Sequence, residues 1–156
     1  MAGFTGTVSA TSNGTPATDD VFVEIKAATA TTFFLKRIEV TFPGATPDDQ
    51  AVLVKVTKNT GAATFTSGTT FTLVPMRING NAATSVCKIK NGTNAATVGT
   101  GSTSVKTIGQ NTRGSYVWVA ADQNEWIESP SAGYIEIVIQ CGKASYVCNV
   151  DVEIEE

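Results

Sequence analysis

The sequence predicts an all-β protein, on the evidence of its composition and its patterning. Val and Ile together number 27, whereas Leu numbers 3 and Met 2, and Thr is the commonest residue at 24. Such β-branched side chains suit pleated strands and lose rotamer freedom in helices. Apolar and polar residues alternate with a period of two, and no amphipathic helical pattern of roughly 10–15 residues interrupts them. An antiparallel β-sandwich or barrel is therefore predicted, and a helical bundle or a parallel α/β fold is disfavoured.

The chain length of 156 residues corresponds to one domain, because a chain of this size buries roughly 68–70% of its unfolded surface in one core. We expect a single sandwich domain over residues 21–156. Residues 1–20 are rich in Thr, Ser, Gly and Ala. They are predicted to form either an N-terminal arm that reaches a neighbouring molecule or a first strand, Phe4–Ser9, followed by a loop.

The first strands are predicted by the faces on which apolar residues fall. A strand at 20–28 would place Val21, Val23, Ile25 and Ala27 on one face. The long strand Thr32–Phe42 would place Phe34, Ile38, Val40 and Phe42 on one face. A third strand, Ala51–Lys58, would turn Val52, Val54 and Val56 to one side.

Further strands are predicted near 70–78, 84–90, 103–109, 115–121, 133–141 and 145–155. In the strand at 133–141, Ile135, Ile137 and Ile139 are predicted to face inward and Glu136 outward. Turn signals separate these strands, because Asn and Gly accept positive φ. The turns are Asn13-Gly14, Asn79-Gly80 and Asn91-Gly92, with a capped turn at Thr46–Gln50.

Two stretches of low complexity, Asn59–Thr70 and Asn91–Ser104, are predicted to form surface loops or irregular edge strands. The two stretches share the short motif Ala-Ala-Thr, at Ala62-Ala63-Thr64 and Ala95-Ala96-Thr97. If these stretches are ordered, a partner or a neighbouring subunit is expected to hold them.

Charge is segregated along the chain. Residues 50–121 carry seven bases and no acid, whereas residues 122–156 carry eight acids and one base. Two arrangements are open. The blocks would form separate surfaces that pair between subunits or dock on an oppositely charged partner, or their strands would interleave so that the segregation disappears in space. The net charge of −3 and a pI near 4.9 argue against nucleic acid as the main partner.

The sequence offers no convincing enzyme. His is absent, which removes every Ser-His or Cys-His nucleophile. The three cysteines have no metal-binding spacing. Cys141 and Cys148 flank the turn-like Gly142–Ser145, so either a disulfide or two buried thiols is possible there. Asp122, Glu125 and Glu128 surround Trp126, but acids around a loop tryptophan more often form a solvated rim than a glycosidase site.

No cofactor or metal is expected. Asp19-Asp20 and Asp48-Asp49 match no calcium-binding loop and are interpreted as solvated turns. No run of roughly 18 apolar residues predicts a membrane span, and Met1–Gly6 shows no signal-peptide pattern. Synthesis in the cytoplasm is expected.

Several segments resemble small β-rich structural proteins of tailed bacteriophages, namely head cement (decoration) proteins. The resemblance spans about residues 33–156 and rests on the order of its segments and their Thr/Ala/Gly-rich style. The segments are Phe34–Val40, Gly68–Pro75, Ile127–Pro130, Gly133–Ile137 and Glu153–Glu156.

The resemblance implies a jelly-roll fold, a homotrimer and a place on the outer capsid surface of a virion, with the major capsid protein as partner and no catalysis. An alternative is the receptor-binding domain of a trimeric tail fibre or spike, in which Trp126, Tyr134 and the polar loops would bind a glycan. The candidate partner-binding residues come from the N-terminal segment, the basic strand edges and one aromatic. They are Phe4, Thr5, Thr7, Lys88, Lys90, Lys106, Arg113 and Trp126.

Overall fold

Two six-stranded antiparallel sheets pack on one another and enclose an apolar core. The computed structural model describes residues 2–11, 18–43, 51–77, 80–90, 96–141 and 146–156. Every strand pair in these ranges is antiparallel. The prediction of an all-β antiparallel sandwich is therefore confirmed.

Sheet A has the strand order β11-β3-β14-β1-β7, and β12 also pairs with β3. Its strands are β1 (Gly3–Thr11), β3 (Phe34–Thr41), β7 (Val74–Pro75), β11 (Tyr116–Val119), β12 (Ile127–Glu128) and β14 (Val147–Glu155).

Sheet B has the strand order β10-β4-β13-β2-β8-β6. Its strands are β2 (Asp20–Lys26), β4 (Ala51–Asn59), β6 (Gly68–Phe71), β8 (Val86–Lys90), β10 (Thr103–Asn111) and β13 (Tyr134–Cys141). A separate two-stranded sheet pairs β5 (Thr64–Phe65) with β9 (Ala96–Thr97), and a 3-10 turn lies at Gln123–Glu125.

The strand order is that of a jelly roll. Its eight main strands are β1, β2, β3, β4, β10, β11, β13 and β14. Taken in chain order as one to eight, they are arranged 1-8-3-6 in sheet A and 2-7-4-5 in sheet B. Strands β13 and β14 are each paired on both sides, so they form the middle of their sheets.

Branched aliphatic side chains from both sheets fill the space between them, as the alternating pattern predicts. Ile135, Ile137 and Ile139 of β13 all lie inside, and Ile38 of β3 and Val152 of β14 belong to the same core. The inward prediction for β13 is correct.

Two bulges change the faces that simple alternation assigns. The pairing of β13 with β2 skips Phe22, so Val23 and Ile25 face the main core while Val21 lies in a second cluster with Val138. The prediction that Val21 shares the face of Val23 is wrong, because a bulge inserts one extra residue and reverses the alternation.

The pairing of β14 with β3 likewise skips Lys36. Leu35 therefore joins Ile38 and Val40 in the core, whereas Phe34 lies outside that core and contacts Trp126. The prediction that Phe34 shares the inward face is wrong for the same reason.

The single strand predicted near 70–78 is two short strands in different sheets, β6 and β7. Several predicted turns lie outside the described residues: Asn13-Gly14, Thr46–Gln50, Asn91-Gly92, Gly142–Ser145 and the Asn of Asn79-Gly80.

The N-terminal segment begins as a strand of the sandwich. Strand β1 pairs with β14 over nine positions, from Gly3↔Glu155 to Thr11↔Val147, and pairs with β7 on its other edge. Its residues Phe4, Val8 and Ala10 are buried in the main core. Residues 3–11 therefore form a first strand rather than an extended arm.

The two low-complexity stretches are held by the chain itself. Strands β5 and β9, one from each stretch, pair with each other, and Ala63 and Ala96 pack against Val21 and Val138 on the outer face of sheet B. Ala63 and Ala96 are therefore buried together, and this contact joins the described parts of the two stretches.

None of the three cysteines is disulfide-bonded. Cys141 ends β13 in sheet B, Cys148 lies in β14 of sheet A, and Cys87 lies in β8. All three are buried, and burial raises the pKa of the Cys87 and Cys148 thiols. Such thiols behave as small apolar side chains.

Core packing predicts a clear contrast between two aliphatic truncations. Ile38→Ala should lower the free energy of unfolding by about 2–5 kcal/mol, because Ile38 is fully buried. Val119→Ala should change it by less than about 0.5 kcal/mol, because Val119 is 57% exposed. Urea denaturation measures both, and equal losses would contradict the described core.

Candidate interaction surface

The basic segment of the chain forms the two lateral sides of the sandwich. Sheet A ends in β11 and β7, and sheet B ends in β10 and β4 on one side and in β8 and β6 on the other. All six strands come from residues 50–121, which contain no acid. The central strands β1, β2, β3, β13 and β14 come from the acid-containing segments. Strand β12 is the exception, because it brings the acidic segment 122–128 to the edge of sheet A beside β11; the other strands of the two blocks do not interleave, so most of the charge segregation persists in space.

The two lateral sides differ in the length of strand edge that they leave unpaired. The β10–β11 side, formed by β10, β11 and residues 122–128, ends the sheets in strands of nine and four residues. The β6–β7 side, formed by β6 and β7, ends them in strands of four and two residues. Because unpaired edges present N–H and C=O groups to a partner, the β10–β11 side is the larger candidate surface.

Exposed valines add apolar area to the β10–β11 side. Val117 and Val119 of β11 are 47% and 57% exposed, and Val105, at a bulge in β10, is 40% exposed. Strand β11 carries apolar side chains on both faces. Tyr116 and Trp118 pack against the core, and Val117 and Val119 alternate with them and lie on the exposed face. Exposed apolar side chains of this kind add to the area that a partner could bury on this side.

A cavity of about 310 Å³ opens on the same side. It is lined by Val105, Lys106, Trp118, Glu125 and Ile127. The Lys106 ammonium lies 5.1 Å from the centre of the Trp118 ring, which is a cation–π contact. The Glu125 carboxylate accepts a hydrogen bond from the Ala121 N–H at 3.0 Å. The cavity thus offers an aromatic wall, one cation and one anion to an incoming side chain.

Two buried polar atoms near this side have no hydrogen-bond partner within the described residues. They are the Tyr116 hydroxyl and the Gln110 amide nitrogen. Burial raises the pKa of Tyr116, so the hydroxyl remains protonated and keeps its donor. Unpartnered buried donors destabilise a protein until a partner or water satisfies them.

Trp126 is partly covered by its own chain. Its ring centre lies 5.7 Å from that of Phe34, and the Lys36 ammonium lies 4.7 Å from it. Lys36 also forms an ion pair of 2.8 Å with Glu155. These contacts fix the indole and leave less of it for stacking on a sugar.

The acidic residues considered from the sequence have structural partners in most cases. Asp122 caps the 3-10 turn by accepting the Asn124 N–H at 2.7 Å, and Glu128 is exposed. Asp19 pairs with Lys55 at 2.6 Å, and Asp20 pairs with buried Lys90. Asp48-Asp49 lies outside the described residues. Among the described residues, no three His, Cys, Asp or Glu side chains converge to hold a metal ion.

The predicted partner-binding residues do not form one surface. Lys106, Arg113 and Trp126 belong to the β10–β11 side or to the turn that joins its strands. Lys88 lies on the outer face of sheet B, with its ammonium 4.8 Å from the centre of the Phe65 ring.

The remaining predicted residues lie elsewhere. Thr5 and Thr7 are exposed on β1, and the Thr7 hydroxyl donates to Asp151. Phe4 and Lys90 are 2% and 1% exposed, so their side chains offer a partner almost no area.

Val105, Val117 and Val119 are the surface residues that the sequence interpretation missed. A signal for two of them is present in Tyr116-Val117-Trp118-Val119, where no residue is charged. Successive side chains of a strand point to opposite faces, so an edge strand made only of uncharged, largely apolar residues exposes apolar side chains on whichever face does not pack inward.

Comparisons with known proteins identify no relative of this chain: no family model, no curated protein and no solved structure matches it. No helix within the described ranges is long and apolar enough to cross a membrane.

The unpartnered hydroxyl of Tyr116 predicts an unusual response to substitution. Tyr116→Phe should leave the free energy of unfolding unchanged or raise it by up to about 1 kcal/mol, because it removes a buried donor that lacks a partner. Tyr134→Phe, at a half-buried position of β13, serves as the control and should have little effect. Chemical denaturation measures both, and a marked loss for Tyr116→Phe would show that the hydroxyl is satisfied.

Proposed function

We propose that this chain is a non-enzymatic virion structural protein that binds the outer capsid surface as a homotrimer and reinforces the shell by bridging capsomers. The observation that carries the proposal is the β10–β11 side, where exposed valines, an open cavity and two strand edges lie on one flank of a rigid sandwich. The resemblance of residues 33–156 to head cement proteins of tailed phages supports it.

The proposed mechanism is clamping of the joints between shell subunits. The close-packed interior of the sandwich resists deformation, so each bound copy holds the shell subunits that it contacts in a fixed arrangement. Contacts of roughly 800 Å² per partner are typical of specific protein interfaces. Repetition over many sites then resists the outward pressure of packaged DNA with modest affinity at each site.

Charge supports the choice of the lateral sides as the docking surface. The β10–β4 edge of sheet B carries Lys55, Lys58 and Lys106 and no acid, whereas half-buried Asp151 and Glu153 lie on the central strand β14. An acidic shell surface would therefore be attracted to a side and repelled by the middle of sheet A. Complementary charge orients such encounters.

The alternative, a receptor-binding domain of a tail fibre or spike, gives Trp126 a glycan-binding role. The contacts of Lys36 and Phe34 with the indole weigh against that role. The number of copies per particle separates the two functions.

The first test is the copy number of the protein in purified phage particles, measured by quantitative mass spectrometry against the major shell protein. We expect a ratio comparable to that of the shell protein, because decoration repeats with the capsid lattice. A handful of copies would assign the protein to the tail, and its absence from particles would refute a virion role.

A pair of matched variants tests the docking side. Val119→Glu and Val74→Glu each place one carboxylate on an edge strand of sheet A, at positions that are 57% and 60% exposed, on opposite sides of the sandwich. Val119→Glu should weaken binding to shells stripped of this protein by about tenfold or more, as loss of a central interface residue does. Val74→Glu should change binding less than about twofold.

Both variants should retain the melting temperature of the wild-type protein, because neither residue is buried. Undiminished binding by Val119→Glu, measured by co-sedimentation with shells, would exclude the β10–β11 side. Loss of binding by Val74→Glu alone would transfer the contact to the opposite side.

A further inference from the structure

A cover without ionisable groups lies on the outer face of sheet B. We call it the flap and define it as residues 60–65 and 96–101, which include β5 and β9. Its two halves are joined by the β5–β9 pairing and by hydrogen bonds from the N–H groups of Thr60 and Gly61 to the Thr100 carbonyl, at 3.2 and 3.1 Å. The flap contains only Thr, Gly, Ala, Phe and Val, so acids beneath it can bond to its main chain but meet no charge of opposite sign.

Three buried carboxylates of sheet B each accept a main-chain hydrogen bond from the flap. Glu136 accepts the Gly99 N–H with both oxygens, at 3.0 and 3.3 Å. Glu24 accepts the Ala63 N–H, and Asp20 accepts the Ala96 N–H at 3.3 Å. These bonds fasten both halves of the flap to the sheet.

Gly99 allows the main chain to approach Glu136 this closely. A Cβ at Gly99 would lie 2.8 Å from the Glu136 Oε1 and 2.1 Å from the Gly61 carbonyl oxygen. Any side chain at this position would therefore push the two halves of the flap apart or lift them from the carboxylate.

The three carboxylates that bind the flap differ in how their negative charge is compensated. Asp20 forms an ion pair with Lys90, which is buried beside it. Glu24 and Glu136 lie directly opposite each other in β2 and β13. Neither forms an ion pair within the described residues, although both are at most 5% exposed.

The other groups around Glu136 and Glu24 are neutral or more distant. On β4, Thr57 donates to Glu136 at 3.5 Å, and Asn59 lies close enough to lower the pKa of Glu136, although neither atom of its amide has a partner of good geometry. Lys88 of β8 and Lys26 of β2 attract the charge of Glu24 from a distance. Lys55 of β4 is paired with Asp19.

Burial under the flap therefore opposes ionisation of both glutamates. It raises the pKa of Glu136 from 4.5 to about 7, against the lowering by the Gly99 N–H, the nearby Asn59 amide and the Thr57 hydroxyl, and the charge of Glu24 raises it further. Burial raises the pKa of Glu24 as well. Lifting the flap hydrates both carboxylates, so the open form ionises more readily than the closed form.

We propose that Glu136 and Glu24 form a proton-controlled latch, which holds the flap on sheet B when they are protonated and releases it when they ionise. Opening uncovers Val21 and Val138, which the flap covers in the closed form. These two valines then form an apolar patch beside the ionised glutamates, and this patch becomes more accessible as the pH rises.

The direction of the pH dependence follows from proton linkage. Below pH 4.5 both forms are protonated and closure is most favoured. Between pH 4.5 and about 7 the open form binds fewer protons than the closed form, so opening becomes easier as the pH rises. Above about pH 7 both forms are ionised, and the opening equilibrium changes no further.

Hydrogen exchange of the full-length protein tests the latch. The protection factors of the Ala63 and Gly99 amides, corrected for the intrinsic pH dependence of exchange, are measured between pH 5 and pH 8.5. We expect them to fall by about tenfold or more across this range, while the protection of core amides such as Ile38 changes less. Flap protection that is constant with pH would overturn the proposal, as would an equal fall at Ile38, which would indicate global unfolding.

Variants assign the effect to its residues. Glu136→Gln should keep the flap protected at pH 8 and flatten its pH profile, because the amide keeps the size and an acceptor without the ionisation. Glu153→Gln, on β14 of the other sheet, is the control and should leave the wild-type profile unchanged. If Glu136→Gln does not fold, Glu24→Gln should give the same flattening to a smaller extent. An unchanged profile in the glutamine variants that fold would exclude these groups as the latch.

Discussion

The apolar layer between the two sheets determines the position of every other feature of this protein. Side chains such as Ile38, Ile137 and Val152 are completely or almost completely buried there, and the strands that carry them are paired on both sides. Because interiors of this kind are close-packed, the central strands cannot exchange places without loss of the core. The lateral strands, the flap and the loops are arranged around this fixed centre.

One consequence is the distribution of charge. The central strands carry their acids on faces that point away from the main core, and the lateral strands carry bases. On the outer face of sheet A, Lys36 pairs with Glu155 and Arg37 pairs with Glu39. Such partly exposed pairs contribute little to stability. Their effect is to neutralise part of the acidic middle of sheet A.

A second consequence is that sheet B is covered on both faces. Its inner face packs on sheet A, and its outer face holds carboxylates that need cover, hydrogen bonds and charge compensation. A cover built from small side chains lets the flap main chain come close enough to supply the hydrogen bonds. Charge compensation differs between the carboxylates, since Asp20 pairs with Lys90 whereas Glu136 has no basic partner in the described part of the chain. The outer face of sheet B therefore holds the Asp20–Lys90 ion pair and, near it, the Glu136 carboxylate, which burial makes harder to ionise.

The sequence by itself determined the all-β class, most strand positions and the inward set Ile135, Ile137 and Ile139, because alternation between neighbouring residues is a local property. Of the candidate surface, it indicated Lys106, Arg113 and Trp126, which lie on or beside the β10–β11 side. Only the tertiary structure decided that Val21 and Phe34 leave the main core, that the low-complexity stretches pair with each other, and that Glu136 is buried. These features depend on bulges, register and strand order between segments far apart in the chain, and local alternation contains no information about which strands become neighbours.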